Sequence, residues 1–282
     1  MAAGIPLGSP SHAPVETIRA GDRLALALAD LRNGLASVHV WAMLGWQEIR
    51  QRYRRSVIGP FWLTLSTAVL IGAMGPLYGR LFGQELSAFF PYLAIGLVVW
   101  QFMAAMINDS TQVFLAAEPF IKQIRLPFTV HVLRMLWRNA IIFAHNAVII
   151  ALVMAFFPNT WSWSIPLALV GVLALLLNGV WVATLLGALC ARFRDIPLVV
   201  ASLVQVAFFL TPVLWKAETL GRHRWAADIN PLFHFIELVR APLLGTMPSA
   251  LSWIAVGAVT VAGFLVMIPF FSRFRGRIAY WV

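Results

Sequence analysis

The side chains able to carry chemistry are sparse in this chain and fall into four groups. Among 282 residues there are 11 Asp or Glu, 6 His and 1 Cys, against 21 Lys or Arg. The densest group is basic: Arg50, Arg52, Arg54 and Arg55 surround Tyr53, just ahead of an apolar run that opens with Pro60, Phe61 and Trp62. Guanidinium groups present planar forks of N–H donors, so this cluster suits phosphate or diphosphate. A second group, Glu118, Pro119, Phe120, Lys122 and Arg125, mixes charge with the apolar residues Phe120, Ile121 and Ile124 in one short segment. That composition serves either as a plain connector or, with its apolar residues exposed, as a docking knob for another protein. A third group, Glu218, His223, Asp228, His234 and Glu237, is the one set of acids and histidines that could converge for catalysis. The fourth falls in or beside apolar segments: Asp109 could form a structural pair with Arg138, Arg134 can snorkel to the surface, and His145 beside Asn146 reads as an interhelical hydrogen bonder.

Missing patterns are equally informative. No Gly-x-x-x-x-Gly-Lys-Ser/Thr occurs, and the two lysines, Lys122 and Lys216, lack the glycine setting that cradles phosphates, so any ATPase is another chain. The acidic midplane site that an ion-coupled carrier needs is not evident either. Cys190, alone, excludes a disulfide framework and a Cys-rich metal site; it reads as a small apolar residue near a helix end.

The elements that must hold these groups are membrane helices. With 61% hydrophobic and 11% charged residues and a mean hydropathy of +0.82, the chain is expected to be an all-α integral membrane protein. The net charge of +10 is dispersed between apolar runs instead of gathered on one face, which fits membrane topology and argues against nucleic-acid binding. Six runs approach the roughly 20 residues a bilayer requires: 61–82, 92–114, 139–157, 165–190, 197–215 and 250–271. Between the last two, residues 216–249 are more polar, and their apolar piece 231–244 is too short to cross and reads as outer re-entrant or interfacial helices. Arginines crowd the segments on one side of this six-span layout, so the positive-inside rule puts both termini in the cytoplasm.

Ahead of the spans, residues 1–34 read as a cytoplasmic extension whose inner part, 22–31, can form a short alanine- and leucine-rich helix. Residues 35–59 read as an interfacial amphipathic helix, with a soluble helix packed on a partner as the alternative. The transmembrane domain then spans residues 60–282. After Ala191, the turn Arg192-Phe-Arg-Asp195 places Asp195 to pair with or cap near the arginines. Most tryptophans fall at head-group level, Trp161 among the outer ones, whereas Trp100 and Trp181 lie within spans, where each either packs on a neighbouring helix or lines a lumen with a flat face for sugar rings.

In this order the pieces are similar to a known family. The stretch Arg52-Tyr-Arg-Arg-Ser-Val-Ile-Gly-Pro-Phe-Trp62, the inner loop 118–127, Arg192-Phe-Arg-Asp195, Thr211-Pro212, Asn230-Pro231 and the terminal Tyr280-Trp281 resemble the membrane subunit of ABC-2 type polysaccharide exporters, which move O-antigen, teichoic acid and capsule. The resemblance covers the chain from about Val40 onward and implies a transport subunit rather than an enzyme. It implies a homodimer with two copies of a separate ATPase that binds ATP and Mg, an undecaprenyl-diphosphate-linked polysaccharide, O-antigen foremost, as cargo, and a bacterial inner membrane as location. By the same resemblance, Glu118 to Arg125 take up the ATPase's movement, while Arg52, Tyr53, Arg54 and Arg55 lie near the place where the lipid diphosphate is loaded. No catalytic residue, metal or cofactor is expected in the chain itself. Two other readings stay open: a membrane-embedded glycan-modifying transferase built on the Glu218 to Glu237 set, and an ABC-2 exporter of a smaller lipid-like substrate.

Overall fold

Proline and glycine punctuate the apolar runs, and between them the backbone must satisfy its own hydrogen bonds in helices, since hydrocarbon offers no partners. The computed structural model describes residues 20–54, 59, 61–157 and 162–282, all helix, turn or irregular backbone with no strand among them. Arg55, Pro60, Trp161 and the first part of the N-terminal extension lie outside the described residues.

Among the described residues eleven α-helices follow in order. They are α1 (Ala20–Ala36), α2 (Val38–Arg52), α3 (Phe61–Leu81), α4 (Leu86–Gln112), α5 (Glu118–Gln123), α6 (Phe128–Phe156), α7 (Ile165–Arg192), α8 (Ile196–Leu210), α9 (Trp225–Asp228), α10 (Pro231–Leu243) and α11 (Ala250–Trp281). A 3-10 helix, Ala217–His223, precedes α9. Five of them, α3, α4, α6, α7 and α11, are long and apolar enough to cross a membrane.

The expected fifth span differs. Residues 197–215 were to form one helix, but α8 has 15 residues and ends at Leu210. Pro212 disfavours helical geometry at the residue before it, and Thr211 is extended (φ −95°, ψ 137°). Two other helices run longer than their apolar cores: α6 begins at Phe128 and α11 continues to Trp281, both carrying arginines past the hydrocarbon limit. At the N-terminus, α1 is a full 17-residue helix that passes the expected boundary at residues 34/35 and abuts α2 across Ser37.

The core sits on α4. Its residues Leu93, Ala94, Ile95, Val98 and Val99 are fully buried, because α3, α6, α7, α8 and α10 all pack around it. By contrast α8 buries no residue, and its Leu198, Leu203 and Phe209 are exposed apolar surface, as a helix bathed in lipid or facing another copy would have. Small residues set the close crossings: a Cβ on Gly171 of α7 would lie 2.7 Å from the Leu238 carbonyl oxygen of α10, so only glycine admits that approach.

Candidate functional site

Arg52, the last residue of α2, lies at the rim of a cavity of about 240 Å³ between α2, α3, α4 and α6. Thr67, Gln101, Asp109, Asn139 and Asn146 supply its polar lining. The Thr67 hydroxyl donates to Gln101 Oε1 at 2.8 Å, and Thr64 donates to Asn146 Oδ1 at 3.2 Å. With both carboxamide oxygens engaged, the NH2 groups of Gln101 and Asn146 are left as donors for whatever fills the cavity. Uncharged donors inside a membrane bundle are costly unless an oxygen acceptor meets them. A guanidinium at the rim and carboxamides within suit a ligand that is anionic at one end and rich in hydroxyls at the other. Of the expected loading residues, Arg52 alone lines this cavity; Tyr53 is half-buried beside it, Arg54 is exposed, and Arg55 is outside the described residues.

Next to the cavity lies a partly buried charge cluster. Glu48 of α2 pairs with Arg138 of α6, and its other oxygen lies 2.9 Å from Arg134 Nε. Although close enough for an ion pair, the Arg134 Nε–H does not point along that line as a hydrogen bond would. The Arg138 Nη2 donates to Asp109 Oδ2 at 2.8 Å, and Asn139 Nδ2 donates to the same oxygen at 2.8 Å. Two cations thus face two carboxylates, the balance that lets charge be buried. The expected Asp109 to Arg138 pair is present. Glu48 was missed as a partner. It sits one turn from the buried Gly45, where a Cβ would lie 2.9 Å from the Arg134 carbonyl oxygen, so α2 rides directly on α6. His145 departs from expectation: its Nδ1 contacts the Ile141 carbonyl of its own helix at 2.8 Å, and the interhelical bond is made by the neighbouring Asn146.

The loop before α6 meets this cluster from below. In α5, Pro119 occupies the first turn, and Lys122 donates to Glu118 at 2.7 Å. That ammonium group, through the hydrogen bond and its charge, holds the Glu118 carboxyl below the usual carboxylate range. Phe120 and Ile121, expected to be exposed, are partly tucked in; the Phe120 ring lies under the Arg134 guanidinium, 5.6 Å from ring centre to Cζ. Ile124 does face outward, as do Pro119, Lys122 and Arg125. Asp195 neither caps α8 through its side chain nor joins an ion pair among the described residues, contrary to expectation. Arg192 and Arg194 turn instead to the end of α11, stacking on the Trp281 ring and donating to its carbonyl.

At the opposite end of the bundle, the third group forms a scaffold. Both ring nitrogens of His234 are occupied, by Ser252 Oγ at 3.0 Å and by the Asp228 carbonyl at 2.7 Å, so that imidazole is not free to act as a base, whereas His223 is exposed on the preceding 3-10 helix. Glu237 pairs with Arg240, and Arg224 lies 3.8 Å from both Glu218 and Asp228. Arg240 is 1% exposed; it donates to the Pro212 carbonyl at 2.8 Å and stacks on Tyr92, 3.8 Å from the ring centre. Asn230 caps α10 and donates to Thr211 Oγ1 at 2.9 Å. These contacts fix the segment that follows α8.

The two span tryptophans differ. Trp100 is packed against Phe208, with ring centres 5.5 Å apart, whereas Trp181 donates to Asn178 and lines a separate apolar cavity of about 440 Å³ with Met103, Met106 and Phe235.

The profile of the ABC-2 type transporter family matches residues 39–244, from α2 to the end of α10. The chain belongs to that family. Among its relatives is an O-antigen export system permease protein RfbA of Klebsiella pneumoniae, 22% identical over 244 residues, with 83% of this chain and 91% of that one covered. A second K. pneumoniae protein of the same name is 22% identical over 195 residues, covering 67% and 74%. A Myxococcus xanthus protein of that name is 23% identical over 220 residues, covering 76% and 84%. For an ABC-2 transporter chain, membership implies a membrane setting and an ABC ATPase partner. Arg52, the charge cluster and α5 all lie inside the matched region, while α1 and α11 lie outside it.

Proposed function

We propose that this chain is the permease subunit of an ATP-driven exporter that carries a lipid-diphosphate-linked polysaccharide, O-antigen foremost, across a bacterial inner membrane. In this reading two copies form the pathway, two separate ATPase chains bind ATP and Mg, and both termini are cytoplasmic. The short helix α8 makes a sixth crossing, and α9 with α10 forms an outer re-entrant hairpin. The relatives named for O-antigen export support the cargo class.

One observation carries the mechanism: the Glu48 carboxylate joins the two ends of the site. Through Arg134 it reaches Phe120 of α5, and through Arg138 and Asp109 it reaches the cavity at Arg52. Displacement of α5 by the ATPase would shift the Arg134 guanidinium above Phe120. Glu48 would follow its cation, and the end of α2 bearing Arg52 would move relative to α3 and α4. In the proposed cycle Arg52, Arg54 and Arg55 hold the diphosphate, and Gln101 and Asn146 donate to sugar hydroxyls at the start of the chain. Since the cluster is charge-balanced, it can rearrange partners without leaving a bare buried ion.

The apolar cavity beside Trp181 favours a second reading, export of a smaller lipid-like substrate whose acyl chain it would house. The occupied imidazole of His234 takes away one of the two histidines the transferase reading would use. Deletion of the gene, followed by surface glycan and lipid-linked glycan analysis, separates the readings. Loss of long surface glycan with its lipid-linked form retained inside supports polysaccharide export; an intact surface coat refutes it, and an altered glycan structure would indicate the transferase.

A further inference from the structure

We infer that α1 is a second docking element for the ATPase, held level with α5 by the buried Asp30. The inference rests on the docking role proposed for α5. Helix α1 packs on α6 and α11 through a thin strip of small residues, Ala27, Asp30 and Gly34. The Asp30 side chain is 0% exposed. Its Oδ1 accepts from the Thr129 backbone N–H at 3.0 Å and from the Thr129 hydroxyl at 2.8 Å. Its Oδ2 accepts from the Phe128 N–H at 3.2 Å and from Arg275 Nε at 2.8 Å. Asp30 thus caps the first turn of α6 from a different helix, directly after the α5 loop ends at Pro127, and ties that turn to the last part of α11.

Depth places this clasp in water. At 29 residues, α6 is about 43 Å long, well beyond the roughly 30 Å of hydrocarbon. Its surplus lies at the end bearing Arg134, Trp137 and Arg138, a level typical of the head groups. Thr129 stands about 12 Å further along the helix, past the lipid and at the height of α5.

At that height α1 presents an apolar ridge. Leu24, Leu28 and Leu35 are 41%, 47% and 58% exposed, and with the half-buried Leu31 they follow one helix face at spacings of four, three and four. A leucine ridge in water marks an interface. Arg23 and Arg32 flank it, and Lys122, Arg125, Arg273 and Arg277 stand exposed on neighbouring elements. The complementary partner is therefore an apolar groove with an acidic rim. The ATPase is the occupant because Asp30 anchors α1 at Phe128 and Thr129, where the chain has just left α5, the helix assigned to that partner.

Cys190 is the sole cysteine and is buried, so an introduced thiol can be labelled selectively. Leu28→Cys and Ile124→Cys, each carrying a thiol-linked photo-crosslinker, are to be illuminated in the assembled permease–ATPase complex in membranes. An adduct between position 28 and the ATPase supports the inference. An adduct at position 28 with lipid, with a second permease copy or with the chain's own first residues overturns it. If position 124 reaches the ATPase and position 28 does not, this inference alone fails; silence at both positions removes the α5 role as well. Independently, Leu24→Ser, Leu28→Ser and Leu35→Ser together are expected to lower the ATPase retained after washing by about tenfold, and undiminished retention refutes the ridge as a contact.

Discussion

Glu48 of α2 and Arg138 of α6 are ion-paired within the bundle, and the same guanidinium reaches Asp109 of α4 at 2.8 Å. One carboxylate thereby helps to fix α2 to two long apolar helices. Replacing Glu48 by Gln leaves Arg138, 15% exposed, with Asp109 as its carboxylate and takes from Arg134, 6% exposed, the carboxylate beside it. The expected cost is about 2–4 kcal/mol, read from denaturant unfolding in mild detergent. Adding Arg134→Met should recover part of it; a second substitution whose cost is purely additive would show that Glu48 and Arg134 do not interact.

The cavity at Arg52 gives a test with two separable arms. Arg52→Glu is expected to weaken binding of a lipid diphosphate by about tenfold or more, whether or not a sugar is attached. Gln101→Leu with Asn146→Leu should weaken only the glycosylated lipid. Equal loss for both ligands in the second variant would place the sugar elsewhere.

Replacing Glu118 and Arg125 together by Ala is expected to reduce export by about tenfold while ATP hydrolysis continues, in reconstituted vesicles. Both side chains lie on the surface of a six-residue helix or its exit, so folding should be unaffected. Because Lys122 lowers the folded-state pKa of Glu118, the pair is intact above the ordinary glutamate range and is lost as pH falls through the lowered value. A carboxyl titration should therefore find its midpoint below that of a free glutamate, returning upward in Lys122→Met.

His131 of α6 is fully buried close to Phe120, and neither of its ring nitrogens has a hydrogen-bond partner among the described residues. His131→Leu removes two unsatisfied polar atoms and is expected to raise stability by about 1 kcal/mol, measured by thermal unfolding. Destabilisation would mean that the imidazole has a partner in solution.

Arg240→Lys is not a conservative change at this position. Lysine cannot at once pair with Glu237, reach the Pro212 carbonyl and lie flat on Tyr92, so a loss of about 2–3 kcal/mol is expected. The loss should be visible as faster proteolysis of the segment after α8.

Most of the fold was legible because a bilayer imposes a length on any apolar run, and the Asp109 to Arg138 pair was legible because an acid and a base at the ends of apolar segments gain by pairing. What failed did so for local reasons. The fifth span was overextended because apolar composition continues through Val213 and Leu214, while the backbone break at Thr211 and Pro212 decides the helix end. Helix α1 looked featureless because it docks through Ala27, Asp30 and Gly34, residues too small to write a hydrophobic stripe. The cavity was missed because uncharged Gln101, Thr67 and Asn146 drew less attention than the arginines, although polar side chains at intramembrane positions were the available signal. Glu48 was readable in principle, lying next to the buried Ile49 and one turn from the buried Gly45.

The clasp between Asp30 and Arg275 joins residues 245 positions apart. A ribosome makes the first of them 245 residues before the second, so during synthesis the carboxylate must wait, unneutralised, until α11 is made. A polypeptide cut short before Arg275 would keep that bare acid beside the start of α6, a defect open to the cell's quality-control proteases, and only a product that includes α11 can close the ring.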